Sequence, residues 1–342
     1  MTTASEKSAL YDLARVVTTL LVVFAHGARM YTAHGVYAPV LSSRLMAGVH
    51  DVIYGFHMPF FVFLSGCVYG CCIEDGKYRD IRSFLGNKSQ KLLIPYIFFG
   101  IAYVAPAMIL LGLTDQTYGG YLFDGILLSQ NSRHLWFILA LFWIFLLAVP
   151  VSKIPLRGPA KTAAVMAVSG TLYACARFVP DYFQLYNAMT YQLYFFAGMV
   201  FHDLYEAFGR IPQNWRCGLF VISMLTVLTA VFPGSGTFLR LFRAFSGIFM
   251  MIVLLQTILR RYPQICSRPL FALMKKNSFG IYLFHPMILY WLFSRLAGLK
   301  LLPTALVTAT SMIALAASIL ATCVLRRLHL QILIGEHNRP AS

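Results

Sequence analysis

Runs of about twenty apolar residues recur along this chain, and they limit what it can fold into more than any other feature. They lie near 10–31, 49–72, 92–113, 134–151, 160–178, 187–206, 216–233, 240–259, 278–297 and 302–325. A helix rises about 1.5 Å per residue, so about 20 such residues cross the hydrocarbon core of a bilayer. The expectation is an all-α fold: a polytopic integral membrane protein with about ten transmembrane helices. Composition excludes the ordinary alternatives. Of 342 residues, 59% are hydrophobic and only 12% charged, where soluble domains carry roughly a quarter charged residues. About ten spans use roughly 200 residues and leave short loops, so residues 1–342 read as a single membrane domain with no soluble extra domain. The first block holds Arg15 and His26 and is followed by further spans. It therefore reads as a retained helix rather than a signal peptide.

The basic residues give the orientation. With a cytoplasmic N-terminus, alternate loops on one side hold nineteen of the 28 Lys and Arg residues, and the other side holds eight. Only Arg15 is left inside a span. Cytoplasmic loops carry the excess of Lys and Arg, so both termini are expected in the cytoplasm of a multi-pass inner (plasma) membrane protein. The net charge of +16 then reflects topology, and no nucleic-acid partner is expected. The seven Cys residues show no CxxC and no paired metal spacing. Cys67, Cys71 and Cys72 gather at one helix end, and all seven read as small apolar fillers without a disulfide framework.

An ionisable residue inside a span is expensive and points to function. Arg15 and His26 are eleven positions apart in the first block. At 100° per residue that is three turns plus about 20°, so both project from one face, about 16 Å apart along the axis. Asp12, three residues before Arg15, is placed to pair with it. Each residue has a plainer reading: Arg15 snorkelling to the inner interface, and His26 meeting headgroups. The second block opens with Phe56-His57-Met58-Pro59 and continues with Ser65-Gly66, which suggests a bent helix with close neighbours. The fourth opens with Arg133-His134-Leu135-Trp136, where Trp136 also suits an aromatic belt. The ninth carries Tyr282-Leu283-Phe284-His285-Pro286. His26, His57, His134 and His285 thus fall in the central-to-outer half of the span set, where neutral imidazole acts as acid or base. No metal is expected, because no acidic or Cys partners stand at ligand spacing.

The inner loop before the third block is basic: Lys77, Arg79, Arg82, Lys88 and Lys91 lead into Leu92-Leu93-Ile94-Pro95-Tyr96. Such a cluster suits a cytoplasmic ligand with several phosphates, or anionic lipid headgroups. No P-loop or glycine-rich phosphate fingerprint is present, so ATP chemistry is not expected.

Arg15 with His26, Phe-His57-Met-Pro-Phe-Phe with Ser65-Gly66, the basic run into Pro95-Tyr96, Leu135-Trp136-Phe137, and Gly-Ile-Tyr282-Leu-Phe-His285-Pro286 occur in one order. In that order they resemble the membrane acyltransferase-3 family, in the flavour of sugar O-acetylases similar to fucose 4-O-acetylase and the enterobacterial common antigen acetyltransferase. The resemblance covers essentially the whole chain. It implies transfer of an acyl group, usually acetyl from acetyl-CoA, to a hydroxyl of a cell-envelope glycan such as an exopolysaccharide or lipopolysaccharide. It also implies that Arg15 and His26 are essential. The family often has Arg-x-x-Arg before the third helix; here the aligned element is Lys88-Ser-Gln-Lys91, with Arg79-Asp-Ile-Arg82 farther away. Lys is a weaker bidentate phosphate clamp than Arg.

On this reading acetyl-CoA is a co-substrate and no cofactor is bound permanently. The other partners are membrane lipids and a glycan or lipid-linked sugar acceptor. Lys88, Lys91, Arg79 and Arg82 are the donor-binding candidates. His26 is the general base or transient acyl carrier, and Arg15 orients the donor and steadies oxyanion charge. His57, Trp136 and His285 are the acceptor-side candidates. The rival expectation is a transporter or flippase for a glycan or lipid intermediate, although no inverted repeat is evident.

Overall fold

The structure, a computed structural model, describes residues 3–336 apart from Arg79, Arg157 and 233–235, with side chains from Ser5 onward. No strand occurs among the described residues. The principal helices are α1 (Thr3–Ala28), α2 (Arg44–Tyr54), α3 (His57–Glu74), α4 (Ile81–Leu110), α5 (Trp136–Ser152) and α6 (Gly158–Cys175). They continue with α7 (Leu185–Gly209), α8 (Gln213–Leu228), α9 (Thr237–Arg261), α10 (Pro269–Leu296) and α11 (Pro303–Arg327).

Among the described residues, seven helical stretches are long and apolar enough to cross a membrane by length and composition. They are Ser5–Tyr31, Arg44–Glu74, Ile81–Leu110, Arg133–Ser152, Gln213–Val231, Thr237–Arg261 and Pro303–Arg327. The other three apolar blocks of the sequence are helices as well, α6, α7 and α10. Two of these interleave polar residues with apolar ones: Asn187, Gln192 and His202 in α7, and Lys275, Lys276, Asn277 and His285 in α10.

Local chemistry explains the breaks. Pro59 has no N–H for the Gly55 carbonyl, and the chain turns at Gly55 and Phe56 before α3 restarts at His57. In α4 two π-helical turns, Ser89–Leu93 and Gly100–Val104, stand just before Pro95 and Pro106. A proline ring clashes with the carbonyl four residues back. Those carbonyls, of Lys91 and Ala102, lie inside the two widened turns. One expectation changes here. Only the first part of the basic run after the second block precedes a helix: Lys77 lies in a turn, whereas Arg82, Lys88 and Lys91 already belong to the helix expected near residue 92. The helix starts at Ile81, where the Asp80 carboxylate accepts from the N–H groups of Arg82 and Ser83, both at 3.1 Å. Arg82, Lys88 and Lys91 therefore ride on helical turns.

The chain divides into two compact units, 1–64 with 204–319, and 65–203 with 320–342. In the first, α1 packs against α2, α9 and α10. Its contact face uses small residues, with Ala14, Ala25 and Ala28 buried and Gly27 against Val307 and Ser311 of α11. Small residues let helix backbones approach where lipid offers no hydrophobic drive. The guanidinium of buried Arg216 donates to the neutral Gln256 side chain and lies 5.5 Å from the Phe208 ring centroid, while its Nε has no hydrogen-bond partner among the described residues.

In the second unit, Ser169 of α6 donates to Gln192 Oε1 at 2.8 Å, and Gln192 Nε2 returns a bond to the Ser169 carbonyl at 2.9 Å. Gly66 of α3 lies against the backbone of α7: an added Cβ would stand 1.9 Å from the Phe195 carbonyl oxygen. The close helix neighbour expected at Ser65-Gly66 is therefore α7. The C-terminal turn Gln331–Ile334 packs on the Ile94–Phe99 stretch of α4.

Candidate active site

The first unit gathers imidazoles from four helices. His26 sits in the last turn of α1, His50 on α2, His57 at the start of α3 and His285 midway along α10. His50, His57 and His285 are buried, and His26 is half-buried. The Tyr54 ring stands among them, its centroid 3.9 Å from that of His50, 4.5 Å from His57 and 6.0 Å from His26. The His26 and His285 rings stack with centroids 4.9 Å apart.

Backbone carbonyls set the proton positions. His285 Nδ1 lies 2.7 Å from the Ile281 carbonyl oxygen. A carbonyl only accepts, so Nδ1 carries the hydrogen and Nε2 of the neutral ring carries the lone pair. That lone pair faces His26 Nδ1 at 3.1 Å. His26 Nδ1 therefore donates, and the lone pair of neutral His26 falls on Nε2. His57 Nδ1 likewise donates to the Ile53 carbonyl at 3.0 Å. His50 Nδ1 lies 2.9 Å from an Asp51 carboxylate oxygen, and its buried Nε2 has no hydrogen-bond partner among the described residues. Ile281, His285 and His26 thus form a fixed chain that ends on a basic nitrogen. Such a group can take a proton from a hydroxyl and return it to a leaving group. Among the described residues no three His, Cys, Asp or Glu side chains converge as metal ligands.

The sequence pointed to His26, His57 and His285, and the structure brings these three into one cluster. His50 and Tyr54 were missed. Their signal was present as His50-x3-Tyr54-x2-His57, the i, i+4, i+7 spacing of one helix face, although the turn at Gly55 interrupts that helix. Because His285 fixes the His26 tautomer, His285→Gln is expected to lower turnover by roughly one to two orders of magnitude without abolishing it. Turnover kinetics on folded protein measure this, and an unchanged rate would remove the relay.

Arg15 is exposed on α1, three turns before His26. The expected Asp12–Arg15 pair does not form. The Asp12 carboxylate pairs instead with Lys275 Nζ of α10 at 2.5 Å. The tight packing of α1 on α10 brings in a partner that an intrahelical spacing rule cannot see. Among the described residues no ion pair reaches Arg15.

Trp136 and the donor candidates belong to the second unit. Trp136 opens α5, half-buried, with its ring centroid 5.1 Å from that of Tyr191. His134, two residues earlier, is buried in the same unit. Four non-glycine residues near this end of the unit have left-handed backbone: Ser129 (φ 59°), Arg133 (φ 53°), Phe183 (φ 55°) and Gln184 (φ 60°). Such residues cost about 1–3 kcal/mol each and persist where surroundings over-determine them. Here Gln184 donates to the Ser129 carbonyl, and Phe183 N–H donates to the Leu128 carbonyl at 2.8 Å. Trp143 Nε1 donates to the Phe183 carbonyl, also at 2.8 Å.

Lys88 points its ammonium at the face of Phe145, 3.7 Å from the centroid, with Tyr78 and Phe84 at 5.4 and 5.6 Å. Lys91 and Arg82 are exposed. Arg79 lies outside the described residues. Lys88 is thus held by aromatic rings, whereas Lys91 and Arg82 are open to an anion.

Residues 9–325 match the model of a family described as an acyltransferase domain, a span that contains every candidate above. No curated protein matches the chain.

Proposed function

The chain belongs to the acyltransferase-3 family and is a multi-pass membrane acyltransferase; from that premise we propose that it moves an acetyl group from cytoplasmic acetyl-CoA to a hydroxyl of a cell-envelope glycan or its lipid-linked precursor. The acceptor class follows the resemblance to sugar O-acetylases. On this reading about ten helices cross the inner membrane, both termini lie in the cytoplasm, and the basic start of α4 faces the donor.

The observation that supports the reading best is the Ile281–His285–His26 chain, which presents a proton-accepting nitrogen at a half-buried position. His26 Nε2 takes the acceptor hydroxyl proton as the oxygen attacks the thioester carbonyl. The tetrahedral intermediate then collapses, the C–S bond breaks, and the proton passes to the departing CoA sulfur. Arg15, three turns along α1 from His26, orients the pantetheine or a phosphate of the donor rather than the reacting carbonyl. His57 is the acceptor-side candidate within this cluster, and Trp136 is the acceptor-side candidate of the second unit.

The test has two arms. Purified membranes supplied with acetyl-CoA and acceptor glycan should release free CoA thiol. Envelope glycans from cells with and without the chain should differ in mass by one acetyl unit. No thiol release with any acceptor, together with identical glycan masses, would sink the proposal. Within the donor site, Lys91→Ala is expected to raise KM for acetyl-CoA severalfold with kcat nearly kept, since an exposed phosphate contact is uniform binding. Lys88→Ala should instead lower the melting temperature, because a desolvated cation–π contact contributes up to about 2 kcal/mol. Equal KM effects from both would contradict this division.

A further inference from the structure

The second unit contains a nucleophile, a base and an orienting acid that the reaction above does not use. His202 of α7 is 3% exposed. Its Nε2 lies 2.9 Å from a Glu74 carboxylate oxygen, and its Nδ1 lies 3.3 Å from Cys71 Sγ. Cys71 and Glu74 are three residues apart in the last turn of α3, so they share a face. Gly66 and Gly70 make the arrangement possible. Gly66 lets α7 approach, and a Cβ on Gly70 would stand 2.8 Å from His202 Cδ2. The imidazole therefore lies against the α3 backbone, between the thiol and the carboxylate.

The proton order follows from the acceptor. An ionised carboxylate only accepts, so His202 Nε2 carries the hydrogen and Nδ1 carries the lone pair. That lone pair faces the Cys71 S–H, the geometry of a thiol beside its general base with a third group holding the base. A merely structural histidine at a helix contact would need one acceptor, and a backbone carbonyl would do. Here the second nitrogen faces a nucleophile. Cys71 is half-exposed, and the chain beyond it carries exposed Glu74 and Asp75, so the thiol sits at the polar end of its helix, within reach of a donor outside the bilayer.

We propose that Cys71 is a His202-activated thiol that accepts the acyl group from an acyl-CoA; the choice of donor rests on the function proposed above. The Cys71 proton passes to His202 Nδ1, and the thiolate attacks the thioester carbonyl. The bond from that carbon to the CoA sulfur breaks, and the CoA thiolate takes the proton from His202. One thioester is exchanged for another, so no oxidant or reductant is required and the acyl group stays activated.

The full chain in lipid nanodiscs is alkylated with iodoacetamide at neutral pH, and separately incubated with radiolabelled acetyl-CoA or palmitoyl-CoA without acceptor. Cys71 should alkylate roughly tenfold faster than Cys72. His202→Gln should erase that difference. Glu74→Ala, at a side chain 71% exposed, should reduce it severalfold while sparing the fold. Label should appear on Cys71, be released by neutral hydroxylamine, persist in Cys72→Ser and vanish in Cys71→Ser and His202→Gln. Equal alkylation of Cys71 and Cys72 would overturn the proposal even if some label formed. Selective alkylation with no label from either CoA would overturn the acyl-accepting role. Neither readout uses a glycan acceptor, so both are separate from failure of the glycan reaction, which shows as missing CoA release with acceptor and unchanged glycan mass.

Discussion

His26→Ala removes acyl transfer by roughly two to four orders of magnitude, the usual contribution of a positioned general base, while the protein still inserts and folds. The barrier rises by about 3–5 kcal/mol on that scale. The expectation rests on a specific proton arrangement. His285 donates to Ile281 and accepts from His26, which leaves Nε2 of His26 as the basic end of the chain. Alanine removes that nitrogen and leaves the other imidazoles without an outlet. The fold loses less, because His26 is half-buried and its helix is held by Ala14, Ala25, Gly27 and Ala28 against its neighbours. The measurement is CoA release with acceptor, normalised to protein that elutes as a single species in detergent. Turnover near that of the unaltered chain would take His26 out of the mechanism.

Gly66→Ala is expected to give little or no folded protein. The new Cβ would meet the Phe195 carbonyl oxygen at 1.9 Å, the Phe195 carbonyl carbon at 2.8 Å and the Met199 nitrogen at 3.1 Å. All three are backbone atoms, so no rotamer change relieves the contact, and α7 has to move away from α3. Overpacking typically costs about 1–3 kcal/mol and occasionally more; a clash with rigid backbone belongs at or above the top of that range. Separating the helices also pulls His202 from Cys71 and Glu74. Yield and melting temperature in detergent read the effect directly. A Gly66→Ala protein melting within a few degrees of the unaltered chain would mean that α7 does not pack this closely. Gly86, which has open space around it, serves as the control, and Gly86→Ala should be tolerated.

Much of the fold was legible because its causes are local. Each apolar block is helical, and the breaks at Gly55 and in α4 follow from Pro59, Pro95 and Pro106. The rotation that puts Arg15 and His26 on one face of α1 is a property of helical pitch alone. The start of α4 was misread because Ile81 to Lys91 is polar, and hydropathy reports burial in lipid, not helicity. Asp80 as an N-cap was the available signal.

The site was legible only in part. His26, His57 and His285 stood out because an imidazole inside an apolar run is costly wherever the run ends up. That His285 should meet His26, 259 residues earlier, is not written in either segment. Nor is the preference of Asp12 for Lys275 over Arg15, the aromatic enclosure of Lys88, or the meeting of Cys71 with His202. The sequence by itself determined the helices, their membrane character and the ionisable residues that have to earn their place, because transfer of a residue from water to lipid is decided one residue at a time. Only the tertiary structure decided which of those residues touch. Helix partners in a membrane are chosen by close packing at positions such as Gly27, Gly66 and Gly70, and that choice depends on the shapes of two surfaces at once.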